Sequence, residues 1–429
     1  MKIRLLIFIL LLTNQVFSQS YKYAHYCLDS LISKDFAGRG YQDEGDKKSA
    51  NFIERELIKN GVKPIINNTY QQYFDLSINN IENCQLKLYS KDSSYLKLGQ
   101  DYILYGSSPT TDLILENEKP IFISFKDKKL NKNKGKLNNK IIVFDLLKEE
   151  KGKISAFIRA LSKENISPKL VIIQNSSKIQ YLMGRNQSKF PVIELKDALI
   201  GARIKYLELR IKSKFIENYT SQNVWGYVEG TKHKDSLFVF VAHYDHLGKI
   251  GDDCYFPGAN DNASGVAMLL DMAKYYAENP SDYSTAFIFV SAEEMGLLGS
   301  TYAAENPLIN LSNVKFLFNL DMCGTGAGGI ALINGQKEIK ASEHMLSINK
   351  DRRYFNEIRV GGESCNSDHC PFVIKGVPAF FIFTFGCEYN EYHSIYDNGK
   401  GLSFTKHLDL CNILKDFIST YNIKHVSRE

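Results

Sequence analysis

Six residues of this chain could do metal chemistry together: His243, Asp261, Glu293, Glu294, Asp321 and His393. Imidazole and carboxylate donors without thiolates suit zinc, with manganese or cobalt as alternatives. One catalytic zinc needs three protein ligands. Five ligands, one of them a carboxylate able to bridge, suit two ions roughly 3.5–4 Å apart. Such a pair holds a water, lowers its pKa and can polarise a substrate carbonyl. Glu293 and Glu294 are adjacent, so their side chains can diverge, one coordinating while the other faces the water as general base. Asp245, two residues after His243, is placed to orient an imidazole rather than to coordinate.

These residues need elements that bring them to one place. Leu237–Val241 is a run of β-branched and aromatic residues that reads as a buried strand delivering His243. Residues 285–290 read as a strand running into Ser291-Ala292-Glu293-Glu294, residues 314–320 as one ending on Asp321, and residues 377–383 as one followed, after a loop, by His393. Helices are expected over 263–277, with Asp261 or Asn262 as cap, over 296–304, and over 403–421 as the closing element. In an open α/β sheet, ligands bind beyond the carboxyl ends of the strands. Chance can put a metal-ligand residue after one or two strand ends, but hardly after all four. The fold class expected is α/β: a mixed, mostly parallel sheet sandwiched by helices, with a smaller β-rich domain inserted.

Between about Cys84 and Lys214 the composition changes. Lys and Asn rise, as in KDKKLNKNKGKLNNK (126–140), and short apolar runs stand at 120–123, 141–144, 170–173 and 191–193, with a helical stretch at 154–163. No cluster of His, Asp and Glu falls here. This reads as a separate module, and its Lys/Asn run as a solvated loop. Before it, residues 44–61 form a helical pattern with Ala50, Phe52, Ile53, Leu57 and Ile58 near one face and Gly61 as the stop, and residues 70–76 read as a strand.

The whole sequence bounds the function. It has 429 residues, 44% of them hydrophobic, and a net charge of +5 without a basic stripe, so neither disorder nor nucleic-acid binding is expected. Lys2 and Arg4 precede an apolar run, Leu5 to Leu12, with Val16-Phe17-Ser18 at an export cleavage position. Residues 1–18 therefore read as a signal peptide, and the protein as periplasmic or extracellular. No Cys at the cleavage point argues for a lipid anchor, and no later stretch is long and apolar enough to cross a bilayer. Eight Cys in an exported chain permit disulfides, with Cys365 and Cys370 a candidate pair.

The motifs AHYDHLG (242–248), GANDNASG (258–265), SAEEMGLLGS (291–300), NLDM (319–322), SDHCPF (367–372) with GVPA (376–379), and EYHSIYD (391–397) occur in this order. Together they resemble the zinc-dependent peptidase family that includes secreted bacterial leucine aminopeptidases, glutamate carboxypeptidase II, glutaminyl cyclases and the transferrin receptor. DFAGRG (35–40) is similar to that family's start, and the 85–214 module to its protease-associated domain. The resemblance implies a peptidase domain from 19–84 and 215–429. It implies two zinc ions, with His243 and Asp321 on one, Glu294 and His393 on the other, and Asp261 bridging. Glu293 would be general base and then acid, and Asp245 would orient His243. The implied activity is an aminopeptidase acting on peptides with a free N-terminus. His246 is expected to pack or hydrogen-bond nearby, His369 to lie in or behind the pocket, and Asp397 to support His393.

Two rivals share the fold. A glutaminyl-cyclase-like acyltransferase would use one zinc, against which the five-ligand set weighs. A receptor or binding protein that lost the chemistry should have lost ligands or base, and all six positions are intact. A carboxypeptidase or dipeptidase should bring an Arg-rich pocket, and no such cluster stands near the motifs. The loop at Gly386-Cys387-Glu388 departs from the family pattern and is expected to line the substrate pocket.

Overall fold

A computed structural model describes residues 21–66, 68–89, 93–126, 131–146, 150–175, 178–196 and 200–421. The leader expected at 1–18 lies outside the described residues. Among them, no helix is long and apolar enough to cross a membrane.

The main sheet has ten strands. Its path runs Ile358–Val360, Gly329–Ile333, Ala379–Phe385, Val314–Leu320, His233–His243, Tyr283–Val290, Ile204–Val228, Gln71–Tyr89 and Ser93–Tyr95, with Thr111–Glu118 also paired to Ile204–Val228. The central four, from Ala379–Phe385 to Tyr283–Val290, are parallel to one another, and both flanks turn antiparallel. This is the mixed α/β sheet flanked by helices that the pattern suggests.

The central strands are apolar at nearly every position because both sheet faces are covered. Alternate side chains part company. Phe238, Phe240, Phe287, Phe289, Phe316 and Phe318 pack beneath the helices Ser264–Glu278 and His407–Thr420. Leu237, Val239, Val241, Ile288 and Leu317 pack on the opposite face, beside Ala303 and Phe372.

Most elements lie where the pattern puts them, a residue or two longer or shorter. The helix expected over 44–61 is Gly45–Lys59, and Ala50, Phe52, Ile53 and Leu57 are buried in it. Ile58 is not on that face: it is 56% exposed, because one residue of helix turns the side chain about 100° away from Leu57. The cap before Ser264–Glu278 is Asn262, whose Oδ1 accepts the Gly265 N–H at 3.0 Å; the Asp261 carboxylate points elsewhere. The strands Gly329–Ile333 and Ile358–Val360 and the helix Ile339–Arg352 extend the sheet beyond what the sequence suggested.

A second, five-stranded sheet is built from Tyr102–Leu104, Val192–Lys196, Leu170–Asn175, Ile141–Asp145 and Ile121–Phe122 in that order. Helix Lys151–Lys163 covers one face, with Ile154, Phe157 and Leu161 turned in. The other face packs on Leu86, Leu88, Leu207 and Leu209, which lie on the two long strands Gln71–Tyr89 and Ile204–Val228. The chain enters and leaves this sheet along those strands, paired from Gln71↔Val224 to Tyr89↔Tyr206. In the Lys/Asn run, residues 127–130 lie outside the described residues, Asn131–Leu137 winds into a short 3-10 helix, and Lys134 pairs with Glu164 at 2.6 Å.

Candidate metal centre

Four parallel strands bring their carboxyl ends to one edge, and the donors stand there. His243 is the last residue of His233–His243, Asp321 follows Val314–Leu320 directly, and Glu293 and Glu294 follow Tyr283–Val290 by three and four residues. His393 comes eight residues after Ala379–Phe385, on a loop, and Asp261 lies in the turn that leads into Ser264–Glu278. All six side chains converge.

Their spacing has a chemical meaning. His243 Nε2 lies 3.3 Å from Asp261 Oδ1 and 3.4 Å from Asp321 Oδ1. His393 Nε2 lies 3.2 Å from Asp261 Oδ2 and 3.0 Å from Glu294 Oε2. Asp261 therefore turns one oxygen to each imidazole. Tetrahedral zinc with bonds of about 2.0–2.2 Å keeps its ligand atoms about 3.3–3.6 Å apart. Moreover, Asp261 Oδ2 and Asp321 Oδ1 are buried and make no hydrogen bond, although ring nitrogens stand 3.2 and 3.4 Å away. Orphaned buried carboxylate oxygens are costly and want a cation. The spacings at His243 fall in that range and those at His393 just short of it, and together with the orphaned oxygens the donor set fits zinc.

Each donor is held from behind. Ser367 Oγ donates to Asp321 Oδ2 at 2.8 Å and accepts from Asn319 Nδ2 at 2.7 Å, leaving Asp321 Oδ1 to face His243. His246 Nδ1 lies 2.8 Å from Glu294 Oε1, which leaves Oε2 for His393. His246 is also grouped with Asp261 and Glu294, but its Asp261 contact is long, at 4.0 Å. His243 Nδ1 lies 3.2 Å from the Asp245 backbone carbonyl and 3.7 Å from Asp245 Oδ1, and the two carboxylate oxygens accept the backbone N–H groups of Glu293 and Glu294 at 3.1 and 3.3 Å. Asp245 thus steadies the Glu-Glu turn as well as the imidazole.

The turn carrying Asp261 is fastened at both ends. Asp397 accepts the N–H groups of Asn260 and Asp261 at 2.8 and 3.0 Å and the Tyr389 hydroxyl at 2.7 Å. Its partner is therefore the Asp261 turn rather than His393. Arg39, from DFAGRG, is fully buried and donates to the carbonyls of Tyr244, Gly258 and Asp261, and also to those of Leu31 and Pro257. Gly258 sits at φ 60 with His246, Arg39 and the Asp261 carbonyl packed where a Cβ would be, so only glycine fits there.

Electrostatics separates the two adjacent glutamates. Burial raises the pKa of Glu293 well above the carboxylate range; His243 opposes this, and Asp368, Glu294 and Asp321 add to it. Burial acts on Glu294 the same way, but His393 and His246 outweigh it and hold the carboxyl down to about 2. Burial resists charge on His393 as well, and Glu294 and Asp261 nevertheless lift it to about 11. A cavity of about 230 Å³ opens over the cluster. His243, Asp261, Glu293 and Asp321 form its polar part, and Met322, Asn366, Phe381, Phe383 and Tyr392 the rest. Glu293 thus faces the cavity while Glu294 faces an imidazole. Tyr392 stacks on the His393 ring, with centroids 3.9 Å apart and planes at 16°.

Several residues of this site were not singled out by sequence reasoning. Asp368 is fully buried with neither oxygen hydrogen-bonded, and burial pushes its pKa up to about 7. Ser367, Tyr392 and Arg39 stood inside quoted motifs, yet their contacts join distant parts of the chain. His369 lies behind the cavity, buried against the lining residue Phe381 with Nε2 2.8 Å from the Ser364 carbonyl. One further expectation needs correcting: the 386–388 loop does not line the cavity, and Glu388 Oε1 instead accepts the N–H groups of Gly326 and Ala327 at 3.0 Å each. Cys365 and Cys370 are joined by a disulfide.

Residues 223–413 match Peptidase family M28. Aminopeptidase YwaD of Bacillus subtilis is 31% identical over 239 residues, which is 53% of this chain and 50% of that protein. Aminopeptidase Y of Saccharomyces cerevisiae is 26% identical over 242 residues, 52% of this chain and 43% of that protein. The chain thus spans about half the length of these relatives. In overall shape it is similar to the crystal structure of a zinc aminopeptidase from Bacillus subtilis, with a TM-score of 0.70 at 22% identity, covering 95% of this chain and 98% of that one. It is equally similar to a peptidase M28 precursor from Shewanella amazonensis, with a TM-score of 0.71 at 18% identity and coverage of 97% and 99%.

Proposed function

With residues 223–413 matched to Peptidase family M28 as the premise, we propose that this protein is an exported zinc aminopeptidase that uses two zinc ions. The observation that carries the reading is the pair of donor sets sharing Asp261, open to a cavity that Glu293 also faces. His243, Asp261 and Asp321 would hold one ion, and Asp261, Glu294 and His393 the other. Residues 19–84 and 215–429 form the peptidase domain in this reading, and 85–214 a protease-associated-like insert. The Cys365–Cys370 disulfide supports an oxidising compartment and so the leader at 1–18.

Bound zinc ions acidify a water and polarise a peptide carbonyl. The chain's own residues do the rest. Glu293 takes a proton from the attacking water and returns it to the nitrogen of the departing amine. Burial and neighbouring carboxylates strengthen its hold on protons, which suits a group that must both accept and donate. Asp245 fixes the backbone on which Glu293 stands. Phe381, Phe383 and Tyr392 pack against the substrate side chain and exclude water. The pocket's carboxylates attract the free ammonium of a peptide N-terminus.

The test pairs zinc content per chain with hydrolysis of free and N-acetylated peptides, with and without a chelator. Two ions, cleavage of unblocked peptides alone, and loss on chelation are expected. Equal cleavage of blocked peptides removes the aminopeptidase label. One tightly held zinc, with pyroglutamate formed from an N-terminal Gln peptide, moves the protein to acyl transfer.

A further inference from the structure

Of the two imidazoles in the metal centre, His243 is fixed by a strand with parallel neighbours on both sides. His393 has no such support. It lies on a loop, at φ 50, a left-handed conformation that is strained for a non-glycine residue. A residue held there must be fixed by its surroundings.

Part of that fixing comes from the segment following strand Leu170–Asn175 of the five-stranded sheet. Tyr181 donates its backbone N–H to the His393 carbonyl at 3.0 Å. Its buried ring stacks on Phe256, with centroids 5.1 Å apart and planes at 22°, two residues before the turn that carries Asp261. Lys178 Nζ donates to the Asn390 carbonyl at 3.1 Å and to Glu391 Oε1 at 2.6 Å, while Glu391 Oε2 accepts the Ser394 hydroxyl at 3.2 Å. Lys178, Glu391 and Ser394 thus close a ring of contacts around His393. The same segment reaches the opposite rim, where Met183 packs with Ala292 and Met295, and the Arg185 guanidinium lies over Gly296.

We infer that residues 178–185 are a working part of the metal centre: Tyr181 and Lys178 are positioning residues that hold His393 where zinc can be bound. This rests on the proposed zinc peptidase reading and gives the inserted segment a task within it. Tyr181 acts on the His393 carbonyl through its backbone N–H, with its ring anchored on Phe256, and Lys178 acts on the same loop through Asn390 and Glu391.

The test reads zinc affinity by chelator competition, beside kcat, KM and the melting temperature, for Tyr181→Pro, which lacks the N–H, and Tyr181→Ala, which removes the ring. Residues that orient a metal ligand typically contribute 10–100-fold. In both variants the weaker-bound zinc should lose about 10-fold in affinity or more, with kcat falling and KM moving little. A packing role alone would lower the melting temperature and leave zinc affinity unchanged, and that result overturns the inference. Wild-type protein supplies a check that needs no variant. Coupling is reciprocal, so zinc added to metal-free protein should slow hydrogen exchange at the Tyr181 amide by about 10-fold; unchanged exchange also overturns it. A chain that binds zinc as described but cleaves no peptide removes the peptidase reading and leaves this one standing.

Discussion

Among the described residues, two buried clusters of histidine and acid are built differently. At the strand edge, imidazole nitrogens and carboxylate oxygens stand 3.0–3.4 Å apart, and two of the oxygens make no hydrogen bond. Between helices Ser264–Glu278 and His407–Thr420, His407 Nε2 lies 2.8 Å from Asp271 Oδ2, with Cys411 Sγ at 3.7 Å from the same nitrogen. All three could be metal ligands by type. Yet His407 Nε2 and Asp271 Oδ2 have closed to 2.8 Å and satisfy one another, and the atom left without a partner is the ring's Nδ1, not a carboxylate oxygen. Burial resists charge on His407, but Cys411 and Asp271 lift its pKa to about 10, as a buried ion pair requires. Donor type is thus a poor guide to metal; donor spacing and orphaned acceptors are better ones.

The comparison breaks first at Glu293. Glu293→Gln removes the proposed proton carrier and none of the proposed donors, so turnover should fall by about 10³-fold or more while zinc content stays at the wild-type value. Near-wild-type activity would reassign the base. Asp261→Ala removes the carboxylate shared by both donor sets, and elemental analysis should show zinc lost along with activity. Retention of both ions would end the bridging assignment. At the helix cluster the pattern should invert. His407→Ala should leave zinc content unchanged and cost about 3 kcal/mol of stability or more, since it strands a buried partner; loss of metal in this variant would make the two clusters alike.

The smallest effect is a pH dependence. His407 is raised in the folded state from 6.5 to about 10, so the stabilisation from its pairing is complete below about pH 6.5 and is lost as pH rises through about 10. The gap in melting temperature between wild type and His407→Ala should therefore narrow as pH climbs toward 10.

The parallel centre was legible because burial on both faces leaves an unbroken apolar signature, and each such run ends near a donor. Asp245 and His243 are two residues apart and could be read locally. The supports of the site could not. Arg39 reaches Tyr244 and Gly258 across 205 and 219 residues, and Ser367 reaches Asp321 across 46; no periodicity announces such contacts. His407 lacked context because its partner, Asp271, is 136 residues away on another helix. The edge strand Ile358–Val360 was missed because it has only three residues and lies at the rim of the sheet, where few packing demands are written into composition.

The guanidinium of Arg39 grips the Asp261 turn from one side, and Asp397 grips it from the other. One anchor is made early in translation and the other late. A chain cut short before Asp397 carries the central strands but lacks the second anchor, so the Asp261 turn is fastened on both sides only once nearly all of these residues have been made.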